Sequence, residues 1–178
     1  DMNNTIKNRI PNILRDEECQ YYMSLFDNKD MVEDIDDKHR KYHRIQIVNQ
    51  EFANRLYQKV KGYLPKKIKK IADGMNDHIR LSKYDAGQFF GIHKDGINFD
   101  PNNKNRMSYA TLNIFLNDDF EGGETTFYEK DGKTMRFVCK PKAGRGAFFY
   151  SQQFHEGNKI LSGNKFLIRT DLFINHNK

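Results

Sequence analysis

Hydrophobic positions recur at helical spacing in the first part of the chain. Residues 49–65 place apolar side chains about one helical turn apart, at Phe52, Leu56, Val60 and Leu64. Gly62 and Pro65 mark the end of this pattern. Residues 16–28 begin with acidic side chains and continue with apolar ones at similar spacing, which predicts a second helix. Residues 39–49 lie between the two and read as a short strand.

From about residue 78 the pattern changes to short segments that are rich in aromatic and β-branched residues and are separated by Gly, Asn and Asp. Seven or eight strands at this spacing are typical of a sandwich or a jelly roll. We therefore predict an α+β protein with a double-stranded β-helix (jelly-roll) core and N-terminal helices packed on one sheet. A length of 178 residues fits a single domain, with a helical part at about 1–77 and a core at about 78–175.

The charge pattern gives little support to a nucleic-acid partner. The formal net charge is +6, but the Lys and Arg residues are spread along the chain. Their densest run, residues 65–71, contains no aromatic side chain on which a base could stack. We interpret this run as the solvated end of a helix, and we expect a nucleic-acid partner to be unlikely.

Cysteine content and hydropathy indicate which cellular compartment to expect. Two cysteines, Cys19 and Cys139, do not make a disulfide framework in a chain of this length, so we expect buried free thiols. The sequence has no run of 18 apolar residues and no signal-peptide core, which leads us to expect a cytoplasmic protein without a membrane partner. The oligomeric state cannot be predicted from these features.

The run FFGIHKDGINF, residues 89–99, carries a His-x-Asp pair, His93 and Asp95, at the end of an apolar segment. Residues i and i+2 of a strand face the same side, so the imidazole and the carboxylate point together and can bind one cation. A pair of this kind is also compatible with a hydrogen-bonded surface turn. A second histidine, His155, follows another aromatic run near the end of the predicted core.

Two histidines and one carboxylate form the facial triad of non-haem Fe(II) oxygenases, which leaves coordination positions open for ligands. Zinc more often uses three protein ligands and a water, and the residue types alone leave zinc possible. Lys165 comes ten residues after His155, on a segment where it shares one strand face with Leu167, Arg169 and Asp171. A basic residue on a core strand is costly unless it meets an anion, either a dicarboxylate ligand or a neighbouring acid.

The segments RLSKYDAGQFFGIHKDG, ATLNIFLNDDFEGGETTFY and PKAGRGAFFYSQQFHEGNKILSGNKFLIRTDLFI resemble, in this order, the 2-oxoglutarate/Fe(II)-dependent dioxygenases of the prolyl 4-hydroxylase type. The resemblance covers about residues 78–175, and ILRDEEC near the N-terminus resembles the first helix of many such domains. It implies Fe(II), 2-oxoglutarate and O₂ as cofactors, and we also expect ascorbate.

The resemblance further implies a role for each matching residue. His93, Asp95 and His155 would bind Fe(II) as the catalytic centre. Lys165 would pair with the distal carboxylate of 2-oxoglutarate, Tyr84 would hydrogen-bond the same carboxylate, and Thr111 would line that pocket. Arg169 would reach the metal-proximal carboxylate or serve as the main anchor.

The implied function is hydroxylation of a protein or peptide side chain, with a prolyl residue as the leading target and with succinate and CO₂ as co-products. Alternatives are a lysyl hydroxylase, another 2-oxoglutarate oxygenase such as a nucleic-acid demethylase, or a catalytically silent binding module on the same fold. Residues 96–107, where the family usually holds its peptide substrate, are polar and atypical, so the sequence leaves the substrate open.

Overall fold

The computed structural model describes residues 9–178, which contain three α-helices, all before residue 72. These are α1 (Asp16–Ser24), α2 (Gln50–Val60) and α3 (Lys66–Ile71), and short 3-10 turns extend α1 and α2. The side chain of Asn49 accepts a hydrogen bond from the Phe52 backbone N–H and so caps the start of α2. The lysines of α3 are exposed while Ile68 is buried, as expected for a solvated helix end.

Fourteen strands are the main secondary structure of the described chain. They are β1 (Glu33–Asp36), β2 (Arg40–Val48), β3 (Ala72–Met75), β4 (His78–Tyr84), β5 (Phe89–His93), β6 (Phe99–Asp100), β7 (Asn103–Phe115), β8 (Glu121–Gly122), β9 (Thr125–Tyr128), β10 (Met135–Cys139), β11 (Gly146–Tyr150), β12 (His155–Gly157), β13 (Ile160–Ser162) and β14 (Lys165–Asn175). Residues 39–49 form β2 almost as the sequence predicts.

The strands pair in antiparallel fashion in the order β10-β9-β12-β5-β2-β4-β14-β7-β11, and β13 with β8 forms a separate short pair. β2 comes from the part of the chain that precedes residue 78, yet it lies in the middle of this path between β5 and β4. Side chains of β9 and β7, the strands next to the two ends of the path, line one cavity, which shows that the sheet curves around it. The predicted jelly-roll core with N-terminal helices is confirmed.

The core lies between the helices and the outer face of this sheet. Helix residues Phe52, Leu56 and Val60 belong to the same buried apolar cluster as Ile168 and Leu172 of β14. Apolar residues at alternate positions of β14 thus meet the helices, and the remaining positions face the interior of the roll.

Both cysteines are buried and neither forms a disulfide, as predicted. Within residues 9–178, none of the helices has the length and apolar character needed to cross a membrane. The predicted cellular location stays a prediction.

Candidate active site

The two histidines and the aspartate of the predicted triad meet inside the roll. Strands β5 and β12 are adjacent and place His93 directly opposite His155. The Nε2 atoms of His93 and His155 lie 3.3 Å and 3.4 Å from Oδ1 of Asp95. One potential ligand atom from each residue falls within 4.8 Å of the other two, a spacing that one metal ion can bridge.

Asp95 lies beside the histidines as predicted, but not on the strand where the sequence analysis places it. Strand β5 ends at His93, so Asp95 lies in the following loop and not on the strand. The backbone N–H of Asp95 donates to the carbonyl of Ser151 at 2.9 Å, and the side-chain amide of Gln152 donates to the Asp95 carbonyl at 2.7 Å. The segment that leads to His155 therefore holds the carboxylate in place.

Backbone carbonyls orient both imidazole rings. Nδ1 of His93 lies 2.6 Å from the carbonyl oxygen of Gly91, and Nδ1 of His155 lies 2.9 Å from that of Gln153. An imidazole whose Nδ1–H donates to a carbonyl keeps a free electron pair on Nε2. The two Nε2 atoms that face Asp95 are thus the ones available to a metal ion.

The surroundings of Asp95 keep its carboxylate ionised. Burial alone would raise the pKa of Asp95, but electrostatic interaction with the neighbouring His155 and Arg169 side chains holds this pKa well below its usual range. The hydroxyl of Thr111 donates to Oδ2 at 2.5 Å, which leaves Oδ1 facing the histidines. A negatively charged oxygen at this point is what a divalent cation requires.

Lys165 is the most unusual buried side chain near the triad. Its exposed fraction is 2%, and among residues 9–178 no carboxylate lies within ion-pair distance of its ammonium group, although the more distant charge of Glu124 favours the charged form. The ammonium lies 5.3 Å and 5.5 Å from the ring centres of Tyr84 and Phe115. Burial lowers the pKa of Lys165 to about 8, because the surroundings disfavour its charge.

The cavity that contains Lys165 also contains the triad. It is lined by Tyr42, Arg80, Ser82, Tyr84, Phe90, His93, Asp95, Asn113, Thr125, His155, Gly157, Lys165, Leu167 and Arg169. Tyr84 is buried and stacks on Tyr42 with ring centres 5.0 Å apart, and burial raises its pKa, so its hydroxyl stays protonated. Tyr84, Lys165 and Arg169 thus face one space together with the metal ligands, which their predicted roles require.

Thr111 is the predicted pocket residue that the structure places differently. It does not line this cavity, and its hydroxyl is engaged by Asp95. The threonine that does line the cavity is Thr125, the last residue of the motif GGET. GGET lies within the segments that carry the family resemblance, and the resemblance implies no role for its threonine.

Asn113 is a second cavity residue that sequence reasoning missed. It is 7% exposed, and its Oδ1 has no hydrogen-bond partner among the described residues. Asn113 lies directly across from Arg169 on the neighbouring strand, so both side chains face the interior. Its position within the apolar segment SYATLNIFLND, where a polar residue is unexpected, was the available signal.

Arg169 connects the triad to the next acid along β14. Its Nη2 lies 3.4 Å from Asp171 Oδ1 and 3.8 Å from Asp95 Oδ2. Although burial would lower it, the carboxylates of Asp95 and Asp171 raise the pKa of Arg169. Arg169 is therefore already neutralised by the protein, in contrast to Lys165.

The backbone around Gly123 allows Lys165 to lie where it does. Gly123 has a φ of +69°, and a Cβ added there would meet Ile160 Cδ1 at 2.6 Å and Lys165 Cδ at 3.2 Å. Only glycine accepts this backbone conformation without strain. Any larger residue would press on the lysine side chain and the wall behind it.

The residues present fit a divalent metal and a dicarboxylate. Two imidazole nitrogens and one carboxylate oxygen are ligands of the type that Fe(II) takes in oxygenases. A buried ammonium without an anionic partner and a buried, unpaired amide oxygen lie in the same cavity. The ammonium needs an anion that the described protein does not supply.

Sequence comparison supports this assignment. Residues 79–170 match the family described as the 2OG-Fe(II) oxygenase superfamily. Probable prolyl 4-hydroxylase 3 from Arabidopsis thaliana is 28% identical over 185 residues, an alignment that covers 86% of this chain and 64% of that protein. Prolyl 3-hydroxylase 2 from Homo sapiens is 53% identical over 43 residues, 24% of this chain and 6% of that protein. The chain thus covers less than two thirds of these curated relatives.

Solved structures share the fold over nearly the whole chain. The crystal structure of a viral collagen prolyl hydroxylase from Paramecium Bursaria Chlorella virus-1 superposes with a TM-score of 0.69 at 24% identity, covering 93% of this chain and 94% of that one. A prolyl-4-hydroxylase from Pseudomonas putida gives a TM-score of 0.70 at 13% identity, covering 92% and 90%. Because the family match spans more than half of its residues and includes the triad and Lys165, this chain belongs to the 2OG-Fe(II) oxygenase superfamily.

Proposed function

We propose that this chain is a single oxygenase domain that hydroxylates a protein or peptide side chain, with proline as the target residue, in a reaction that depends on Fe(II) and 2-oxoglutarate. The observation that carries the proposal is the presence, in one cavity, of a His-Asp-His triad and a buried ammonium without an anionic partner. When bound, the iron and 2-oxoglutarate would supply the oxidising chemistry with O₂ as the oxidant: one oxygen atom would go to the substrate hydroxyl and the other to succinate, which forms with CO₂.

The side chains of the triad hold the metal. Nε2 of His93 and of His155 and Oδ1 of Asp95 would be its three protein ligands, since their other polar atoms are hydrogen-bonded elsewhere. Thr111 orients the carboxylate and the two backbone carbonyls orient the rings. This support keeps the ligands in place before the metal binds.

Lys165 would bind the distal carboxylate of 2-oxoglutarate, with hydroxyl donors from Tyr84 and Thr125 on the same cavity wall. We favour Lys165 over Arg169 as the main anchor, because Arg169 already lies beside Asp95 and Asp171 while Lys165 has no anion. Burial excludes water from the ammonium, which strengthens its attraction to a carboxylate.

The choice of a peptide substrate rests on the relatives. Probable prolyl 4-hydroxylase 3 and prolyl 3-hydroxylase 2 are named for action on proline. A Trichoplax adhaerens prolyl hydroxylase that shares this fold was solved in complex with a peptide fragment of hypoxia inducible factor, with a TM-score of 0.68 at 14% identity. An open cleft of about 600 Å³ beside His93 and Asp95 offers space for such a segment.

The test measures succinate formed from 2-oxoglutarate under Fe(II), ascorbate and air, first alone and then with pools of proline-containing or lysine-containing peptides. We expect a slow rate alone and a stimulated rate with the proline pool. Stimulation by the lysine pool alone would replace proline with lysine as the target. Omitting ascorbate in one series tests the expected dependence on it.

His93→Ala separates an enzyme from a silent binding module. Removing one of three metal ligands should abolish succinate formation, while the circular dichroism spectrum stays that of the folded protein. A matched variant, His78→Ala, removes an exposed histidine from the start of β4 and should leave turnover unchanged. Wild-type protein that binds Fe(II) but forms no succinate with any pool would favour the binding module.

A further inference from the structure

A row of polar side chains crosses four neighbouring strands, and three of its members, Arg80, Arg169 and Asn113, line the cavity that contains the triad. Arg80 of β4 is paired in register with Gln46 of β2 on one side and with Arg169 of β14 on the other, and Arg169 is paired with Asn113 of β7. Residues that are directly opposite on neighbouring strands share a face of the sheet. Two arginines are therefore direct neighbours in this row.

The two arginines differ in what neutralises them. Arg169 lies beside Asp95 and Asp171, whereas Arg80 forms no hydrogen bond or ion pair through its side chain with any of residues 9–178. Like charges directly opposite each other on a sheet are destabilising. Burial and the positive charges of Arg169 and Arg44 lower the pKa of Arg80, and they outweigh the opposite effect of the more distant Asp171 carboxylate.

Arg80 faces the open side of the site. Arg80 lines the inner cavity and also the cleft of about 600 Å³ outside it, while Lys165 and Tyr84 line only the inner cavity. The charged residues of that cleft are five bases and two acids: Lys38, Arg40, Arg80, Lys94, Arg169, Asp37 and Asp95. The cleft where a substrate approaches the triad is therefore strongly positive.

We propose that Arg80 determines substrate specificity by binding a carboxylate of an acidic residue that lies close to the target residue in the peptide substrate. The inference rests on the proposed peptide hydroxylase function and names the kind of peptide that the site takes. An arginine fork can bind a carboxylate through two parallel hydrogen bonds. That anion would supply the partner that the described chain does not give to Arg80.

A peptide carboxylate fits this site better than a nucleic-acid phosphate. The phenyl ring that lines the cleft, Phe90, stacks on His93 with ring centres 3.7 Å apart and is not free to stack on a base. Two apolar side chains beside the triad, Ile92 and Ile97, are each 45% exposed and suit a peptide. Single-stranded nucleic acid binding usually needs exposed aromatic platforms along a charged groove.

The test uses pairs of synthetic proline-containing peptides that differ only in glutamate or glutamine at one position flanking the proline. Succinate formation gives kcat/KM for each peptide and the KM for 2-oxoglutarate. Fluorescently labelled copies of the same pairs are titrated with the Fe(II)-loaded protein under nitrogen, so preference is also measured without turnover. The proteins are wild type, Arg80→Gln, Arg80→Lys and the control Lys41→Gln, which removes an exposed charge from the outer face of β2.

We expect the wild-type protein to prefer glutamate over glutamine by about tenfold at one or more positions, the effect of one charge-assisted hydrogen-bond pair. Arg80→Gln should remove this preference in both assays and change the KM for 2-oxoglutarate less than about twofold. Arg80→Lys should retain part of the preference, and Lys41→Gln should retain all of it.

Three results would overturn the inference. They are equal binding of glutamate and glutamine peptides by wild type, an undiminished preference in Arg80→Gln, and a large rise in the KM for 2-oxoglutarate in Arg80→Gln, which would assign Arg80 to the co-substrate. Arg80-dependent stimulation by a single-stranded oligonucleotide in place of the peptides would assign it to phosphate. A protein that forms no succinate yet shows the Arg80-dependent preference in binding would contradict the proposed hydroxylase function and leave this inference standing.

Discussion

The two faces of strand β14 are both buried and yet chemically opposite. Ile168 is 0% exposed and packs into the apolar cluster shared with the helices, whereas Lys165, three residues earlier, is 2% exposed and carries a charge. Leu172 and Arg169 repeat the contrast further along the strand. One face of this strand thus packs fully against other apolar side chains, whereas the other face keeps polar groups that lack partners in the described protein.

The difference shows which buried residues serve folding and which serve the site. On the helix side every apolar side chain meets other apolar side chains, which stabilises the folded state. On the inner side the protein keeps an ammonium and an amide oxygen without partners, which costs stability until a ligand arrives. Substitutions on the two faces should therefore affect stability and activity in opposite ways.

Ile168→Ala tests the helix-facing side and should have the largest effect. It leaves a cavity in a fully buried cluster, so we expect a loss of about 2–4 kcal/mol in the free energy of unfolding, measured with urea. Ile168→Val should cost only about 1 kcal/mol. The KM for 2-oxoglutarate of the folded fraction should stay unchanged, and a raised KM would mean that the two faces are not independent.

Lys165→Met tests the inner side and should reverse this pattern. The KM for 2-oxoglutarate should rise about 10- to 100-fold because a charge-assisted hydrogen bond is lost. The free energy of unfolding without ligand should stay equal or increase, since an unpaired buried charge is replaced by an apolar chain. A clear loss of stability would show that the ammonium has a partner in the protein and would weaken its role as an anchor.

Thr111→Val separates the metal from the co-substrate. Because its hydroxyl donates to Asp95, we expect Fe(II) to bind about tenfold more weakly, with little change in the KM for 2-oxoglutarate at saturating metal. Thr111→Ser keeps the hydroxyl and should bind the metal normally. The opposite result, a raised KM with unchanged metal affinity, would support the role that the sequence predicts for Thr111.

The sequence predicts the fold and the metal ligands because both follow from local signals. Period-two and helical spacings locate the strands and helices, and the histidines and Asp95 stand out as polar residues in apolar surroundings. Even so, Asp95 lies beyond the end of its strand and is held by the segment around Ser151. Such a contact between distant parts of the chain has no local signature.

The sequence does not predict which side chains become neighbours across strands. The placement of Arg80 beside Arg169, and of Asn113 beside both, depends on register between β4, β14 and β7. Register is set by the whole sheet, and a shift of one residue would turn each side chain to the other face. For the same reason the choice between Thr111 and Thr125 as the pocket threonine needed the structure.

The smallest predicted effect is a change in the protonation of Lys165 with pH and with ligand binding. Burial lowers the pKa of Lys165 to about 8 from 10.5, so above pH 8 the ligand-free protein loses this proton while the unfolded chain keeps it up to about pH 10.5. The unfolded state then binds more protons, and the free energy of unfolding should rise between these pH values through this group.

A bound carboxylate favours the charged ammonium, so 2-oxoglutarate should bind with uptake of about one proton near pH 9 and almost none at pH 7. Calorimetric titrations in two buffers of different ionisation enthalpy measure the uptake directly. Lys165→Met should show no proton uptake at pH 9. An equal proton uptake in that variant would mean that another group titrates when the ligand binds. The charge of the inner face would then not depend on Lys165.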